Sequence, residues 1–525
     1  MSAEHTAADY VGTGGHRRAT TIAAMSSTGP PASPAAGDET AAEDLVGSRA
    51  AGPAALRGSV LRSASYATTV LLSLVSAPLL IRHLGLAAFG RYSTVTAVVT
   101  IVGGLTDGGL VSIAVREWAT HRGEERRQLL RRLLGLRIEL SAAGVLVGVV
   151  FALVAGYDGV LVIGTLIAGV GMMLQVIANL MTAALQGDLR FGWASIVDVC
   201  RQSVATVLIV ALVLAGAGLL PFFATTIPAG LTALVVTAAL VRDRMPLSPR
   251  LRGRENWPLI RETLPYAAAI AVNTLYFRVT IVVMSLIAAA AQTGYFATSF
   301  RVMEVLVGIP ALAVGTVFPV ISRAARDDAA RLAYASARIV ELALIGGTGL
   351  ALMVVLIAPF AIEVLAGAAG APAAGVLQIQ GLALIATFLA VATGYVLLSV
   401  RRHSALLIAN SAALAANIAL TLALVPVAHA RGAAIAAVIA ESCLALGQVL
   451  LLLRAGHFRL RARSVAAVAA AGGLGALVLL IPGLSTGPGC VLRTLAGAVV
   501  YASALAAFGV LPPELRQVLP ARRVT

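Results

Sequence analysis

The sequence predicts an all-α polytopic membrane protein with fourteen transmembrane helices. Three observations carry this. Of 525 residues, 59% are hydrophobic and only 12% charged, and mean hydropathy is +0.92. The apolar residues fall into stretches of about 20, the length that crosses a hydrocarbon core. Arginines gather after every second stretch, as the bias of basic residues toward the cytoplasmic side requires.

In chain order, residues 1–55 are rich in Ala, Gly, Ser, Thr and Pro without an apolar run, and read as a disordered cytoplasmic tail. Predicted helices cover 60–81, 89–115, 133–155, 159–186, 192–216, 219–241 and 263–288. The rest cover 293–320, 337–362, 375–400, 403–427, 431–454, 464–482 and 491–511. Segments after even-numbered helices hold Arg116, Arg122, Arg126, Arg127, Arg131 and Arg132, then Arg190, then Arg242, Arg244, Arg250, Arg252, Arg254 and Arg261. The pattern continues through Arg323, Arg326, Arg331, Arg401, Arg402, Arg454, Arg459, Arg461 and Arg463 to Arg516, Arg522 and Arg523, whereas odd-numbered helices are followed only by Arg82, Arg91, Arg431 and Arg493. Both termini are therefore expected in the cytoplasm. Trp118, Trp193 and Trp257 at cytoplasmic helix ends, and Phe89, Tyr92, Tyr295 and Phe296 at outer ends, are expected to form interfacial belts.

A weak repeat divides the chain. Phe89-Gly90-Arg91-Tyr92 opens helix 2 and Thr293-Gly294-Tyr295-Phe296 opens helix 8, each with Gly-x-aromatic. Six helices separate the copies, an even number, so the halves share one orientation. The implied domains are a lobe at 56–242, a cytoplasmic connection at 243–261, a second lobe at 262–456, and two further helices with a short tail at 457–525.

The net charge of +15 is carried by arginine alone, with no lysine, and in such a chain it reports topology and attraction to anionic membrane lipid rather than nucleic acid. Charges inside helices say more. An arginine at mid-membrane costs about 2.5–3.5 kcal/mol on insertion, so it needs a partner. Arg278 and Arg301 lie on helices 7 and 8, and a turn near Ala291 puts both about 15–20 Å below one face, placed to bind one anion together. For Arg301 an equal alternative is pairing with Glu304 one turn along. Asp198 and Arg201, three apart, are read as neutralising each other. Asp107, set among Gly103, Gly104, Gly108 and Gly109, is a candidate to pair with an arginine across the lobes or to bind a coupling cation, and Glu441 is a candidate proton or cation site for which a buried partner is favoured. Gln175, Asn179, Asn273, Asn410 and Asn417 are read as interhelical hydrogen bonders.

No Walker, GxGxxG, HExxH or GxSxG motif occurs, Cys200, Cys443 and Cys490 have no metal or disulfide spacing, and the histidines are scattered. Catalytic residues, metals and cofactors are therefore not expected. With only short loops, no enzymatic domain is expected outside the membrane.

The segments Pro78-Leu79-Leu80-Ile81-Arg82-His83-Leu84-Gly85, Phe277-Arg278-Val279, Phe300-Arg301-Val302-Met303-Glu304 and Phe318-Pro319-Val320-Ile321-Ser322-Arg323 resemble the Wzx-type polysaccharide flippases. The resemblance spans about residues 57–515. It implies the multidrug/oligosaccharidyl-lipid/polysaccharide (MOP) exporter superfamily: two six-helix lobes around a central cavity, here with two extra C-terminal helices. Where such proteins often place an acid soon after the helix 7 arginine, this chain has Val279-Thr280. The expected activity is outward movement of a lipid-linked glycan across a bacterial cytoplasmic membrane by alternating access, with Arg278 and Arg301 holding the phosphate. Glycan polymerases or glycosyltransferases are the expected protein partners. A lipid II flippase shares this cavity logic. A cation-coupled multidrug exporter of the superfamily would want acidic cavity residues instead.

Overall fold

A computed structural model describes residues 51–510 except 189, 246–247, 251–256, 328, 457–461 and 482–486. The expected tail up to residue 50, Arg252, Arg254, Arg459, Arg461 and the arginines after 510 lie outside the described residues. The chain divides into Met1–Ala55 and Leu56–Thr525, and among the described residues the candidate membrane spans lie in the second unit.

Among the described residues, eleven helices are long and apolar enough to cross a membrane. Two of them are double, broken at Gly85 and at His429, where φ turns positive. With the 38-residue helix Ala290–Asp327 the count is fourteen. They are α1 (51–84), α2 (86–120), α3 (Gly123–Val154), α4 (Gly159–Gly187), α5 (Phe191–Leu214), α6 (Leu219–Val241) and α7 (Trp257–Ile287). The remainder are α8 (Ala290–Asp327), α9 (Ala329–Ala366), α10 (Ala371–Ser399), α11 (403–428), α12 (430–454), α13 (Ala462–Leu480) and α14 (Pro488–Ala507).

Helices are dictated because hydrocarbon offers no partner to a backbone amide. Embedded hydroxyls solve the same problem by bonding back to their own helix, as Thr94 does to the Gly90 carbonyl at 3.0 Å and Thr106 to that of Val102 at 2.9 Å. The breaks are equally local. Gly108 and Gly109 adopt φ of 52° and 74°, a region open to glycine at little cost, and interrupt α2.

Helices α1–α6 form one lobe and α7–α12 the other, around a central cavity. In the first, Leu110, Ala114 and Trp118 of α2 pack on Leu133 and Leu136 of α3 and Leu180 and Met181 of α4. In the second, Met303 of α8 packs with Ala351 and Val354 of α9 and Leu377 and Leu384 of α10. The last pair, α13 and α14, is tied to α9: Arg493 Nη2 donates to the Leu356 carbonyl and the Tyr501 hydroxyl to that of Ile345, each at 2.8 Å. Arg493, in the first turn of the predicted helix, is buried inside α14.

The aromatic belt is corrected at three of its members. Trp118 is 4% exposed and its indole donates to Asp188 Oδ1 at 2.8 Å, so it anchors the first lobe instead of facing lipid headgroups. Phe89 and Phe296 are buried where the lobes meet. The reason lies in the repeat: its two turns face each other. A Cβ built on Gly90 would collide with the Ala290 carbonyl oxygen, and one on Gly294 with that of Leu86. Helices in lipid gain little from apolar burial and associate through close backbone approach, which these glycines permit. Around them Ala97 and Val98 of α2 pack with Ile281 and Met284 of α7 and with Phe296.

Two hydrogen bonds also bridge the lobes at this end. Arg82 Nη2 donates to the Glu363 carbonyl at 2.8 Å, and the Tyr157 and Ser285 hydroxyls lie 2.6 Å apart. Burial pushes the Tyr157 phenol up from its ordinary range, which the Ser285 bond partly offsets, so the phenol keeps its proton at neutral pH. Gly90→Ala is expected to force this end apart at a cost of about 1–3 kcal/mol. Cysteines placed at Leu86 and Ala290 should then cross-link more slowly than on the unmodified background.

Candidate functional site

A cavity of about 260 Å³ lies between the lobes, lined from α1, α2, α4, α5 and α6 on one side and α7 and α8 on the other. The α7–α8 turn is at Ala288 and Ala289 rather than near Ala291. Arg278 is therefore ten residues before it and Arg301 twelve after, about 15 and 18 Å along the two helices. Both arginines line the cavity, with Glu304 between them.

The three side chains form one cluster. Glu304 Oε2 accepts from Arg301 Nη1 at 2.8 Å, and Oε1 accepts from Arg278 Nη2. Arg301 also donates through Nη2 to Ser73 Oγ of α1 at 3.0 Å, which carries the cluster across to the first lobe. The Arg278 guanidinium stands 5.6 Å over the Phe300 ring, an attractive contact between a cation and a π face. Arg301 is thus paired with Glu304, and both arginines face one space and share that one carboxylate. Two guanidiniums against one carboxylate leave one formal positive charge. The Arg301 side chain is 42% exposed, so it is open to a ligand.

Arg201 lines the same cavity from α5, beside Gln202, and Gln175 faces it from α4. Asp198 is the counter-charge of Arg201, as its spacing implied. Of the five amides read as interhelical bonders, Asn417 is one, donating to Thr280 Oγ1 at 3.0 Å. Asn410 bonds its own helix at the Leu406 carbonyl instead, and Gln175 faces the cavity.

Asp107 and Glu441 stand elsewhere. Asp107 Oδ1 is 3.1 Å from Arg137 Nη2, and Arg137 also donates through Nη1 to the Thr106 carbonyl at 2.7 Å. The partner is therefore on α3 of the same lobe, not across the lobes. Glu441, 8% exposed, faces the Tyr276 and Thr387 hydroxyls in a separate space of about 60 Å³ within the second lobe. Sequence reasoning missed Arg137, which is 1% exposed and fourteen residues into α3, because the apolar run that marks that helix starts only at Leu133. No group of three or more His, Cys, Asp or Glu able to hold a metal occurs among the described residues.

The family described as polysaccharide biosynthesis protein matches residues 55–325, more than half of the chain. The chain belongs to this family. The solved structures it resembles place it in the fold of the MOP superfamily. A lipid II flippase, MurJ, in an inward closed conformation superposes with a TM-score of 0.70 at 15% identity, covering 86% of this chain and 98% of its own. An inward-facing multidrug resistance MATE transporter of the superfamily gives 0.61 at 13% identity over 76% of this chain and 98% of its own. A superfamily transporter from Pyrococcus furiosus, described as having a binding pocket of reverse polarity, gives 0.53 at 16% over 77% and 95%. No curated protein matches the sequence. The fold is the one these solved transporters share, in agreement with the superfamily resemblance of the sequence, and with its long apolar helices it makes the chain a multi-pass membrane protein.

Proposed function

We propose that this member of the family moves a polyprenyl-phosphate-linked oligosaccharide outward across a bacterial cytoplasmic membrane by alternating access, both termini being cytoplasmic. One observation supports this above others: Arg278 and Arg301 meet in a single membrane-embedded cavity with one carboxylate between them. Glycan hydroxyls stripped of water lose several kcal/mol each in hydrocarbon, so the glycan needs a hydrated passage. Guanidinium groups match phosphate oxygens in pairs, which gives the head group a fixed seat. The polyprenyl chain stays in lipid, between the lobes.

Glu304 holds the arginines in the position a phosphate would take, so the head group must displace it. Glu304→Gln is therefore expected to bind undecaprenyl diphosphate about tenfold more tightly, as about 1.4 kcal/mol of competition is removed. Titration of the purified protein in nanodiscs reads this; weaker binding by the variant would make Glu304 a supporting group instead. A multidrug exporter for cationic compounds is disfavoured by the surplus of guanidinium over carboxylate. A lipid II carrier has the same phosphate chemistry. The deciding experiment is a deletion strain: build-up of a lipid-linked cell-surface glycan supports the proposal, build-up of lipid II supports the second reading, and loss of dye efflux with neither would overturn both.

A further inference from the structure

The two walls of the central cavity differ in chemistry. Arg278, Arg301 and Glu304 all belong to the second lobe, whereas the first lobe presents Gln175, Gln202 and Arg201 with the hydroxyls of Thr96, Thr100 and Thr226. Those hydroxyls have spent their protons: Thr96 on the Ser93 carbonyl at 3.0 Å, Thr100 on that of Thr96 at 2.7 Å, and Thr226 on that of Phe223 at 2.7 Å. They can only accept from a ligand. The Gln175 and Gln202 amides have no hydrogen-bond partner among the described residues, and both are part-buried on the cavity wall. Arg201 adds Nε, buried and likewise without a hydrogen-bond partner among those residues.

Polar groups at membrane depth cost free energy until something bonds them. Here two side-chain amides, each both donor and acceptor, face one cavity from α4 and α5 beside acceptor-only hydroxyls. A sugar ring, whose hydroxyls donate and accept around its rim, satisfies both kinds of group. An inorganic anion satisfies neither the acceptor hydroxyls nor the amide oxygens. We propose that Gln175 and Gln202 of the first lobe form a sugar-reading subsite, which takes the glycan residues next to the phosphate while Arg278 and Arg301 of the second lobe hold the phosphate itself. This rests on the flippase reading above and assigns to the first lobe the choice among glycans.

The test compares undecaprenyl diphosphate with undecaprenyl diphosphate carrying one N-acetylglucosamine or one galactose, titrated against the full-length protein in nanodiscs. In the wild type at least one sugar is expected to raise affinity about tenfold over the bare diphosphate, the yield of one or two amide hydrogen bonds. Gln175→Ala with Gln202→Ala should erase that increment and leave the bare diphosphate affinity within about twofold. Arg278→Ala with Arg301→Ala should weaken all three ligands alike. The subsite is overturned if neither sugar adds affinity in the wild type, if the increment survives both glutamine substitutions, or if they weaken the bare diphosphate equally. The flippase reading fails separately, when the arginine variant binds all three as the wild type does. Should the double glutamine variant not fold, each single variant is expected to lose about threefold of the sugar increment, and an unchanged increment in both singles counts against the subsite.

Discussion

Replacing Arg278 and Arg301 together with alanine is expected to lower glycan export about 100-fold, since each charge-assisted hydrogen bond to phosphate contributes about 1.5–3 kcal/mol. Protein abundance should hold, because both side chains border open space and the substitutions take away no packed core. Single substitutions should be milder but unequal. Arg278→Ala leaves Arg301 paired with Glu304, a neutral couple, so the cavity loses its surplus charge. Arg301→Ala leaves Arg278 on Glu304 with the same net charge, and also frees Ser73, which cuts the cluster's own hydrogen bond to the first lobe. Export measured as surface glycan, beside an immunoblot for the protein, decides this; full export in the double variant would remove the phosphate seat.

Asp107→Ala is expected to destabilise the protein by about 3–5 kcal/mol, the cost of leaving a buried ion without its partner. The argument turns on Arg137, which is almost fully buried and whose Nε has no hydrogen-bond partner among the described residues. Replacing both, with Asp107→Leu and Arg137→Leu, should cost much less, because no lone ion remains. Thermal unfolding in detergent shows the difference. A coupling role for Asp107 makes the opposite forecast: the single variant stays stable and loses only its dependence on an ion gradient.

The fold was readable because hydrocarbon imposes a length and an alternation of charge on every crossing, and both survive in the composition of the segments. All fourteen helices follow from that. Arg278 and Arg301 were readable for a related reason, since an arginine at such depth requires an explanation. Their sharing of Glu304 was half readable: the three-residue spacing pairs Arg301 with it, but Arg278 arrives from another helix, and no spacing rule reaches between helices. Arg137 escaped because charged residues at a helix start look like surface until the true start, ten residues earlier at Gly123, is known. Phe89 and Phe296 misled by the same logic. An aromatic near a turn looks interfacial, and only the meeting of Gly90 with Gly294 shows that these turns are covered.

The surplus positive charge of the Arg278, Arg301 and Glu304 cluster has an electrical consequence. Under the proposed function the cargo's diphosphate brings at least two negative charges, so the site would change sign on loading. A field of 100 mV acts on each elementary charge with about 2.3 kcal/mol across its full drop. With the cell interior negative, the empty site would be drawn inward and a site loaded with that cargo driven outward, so under the proposed function voltage would favour delivery at the outer face.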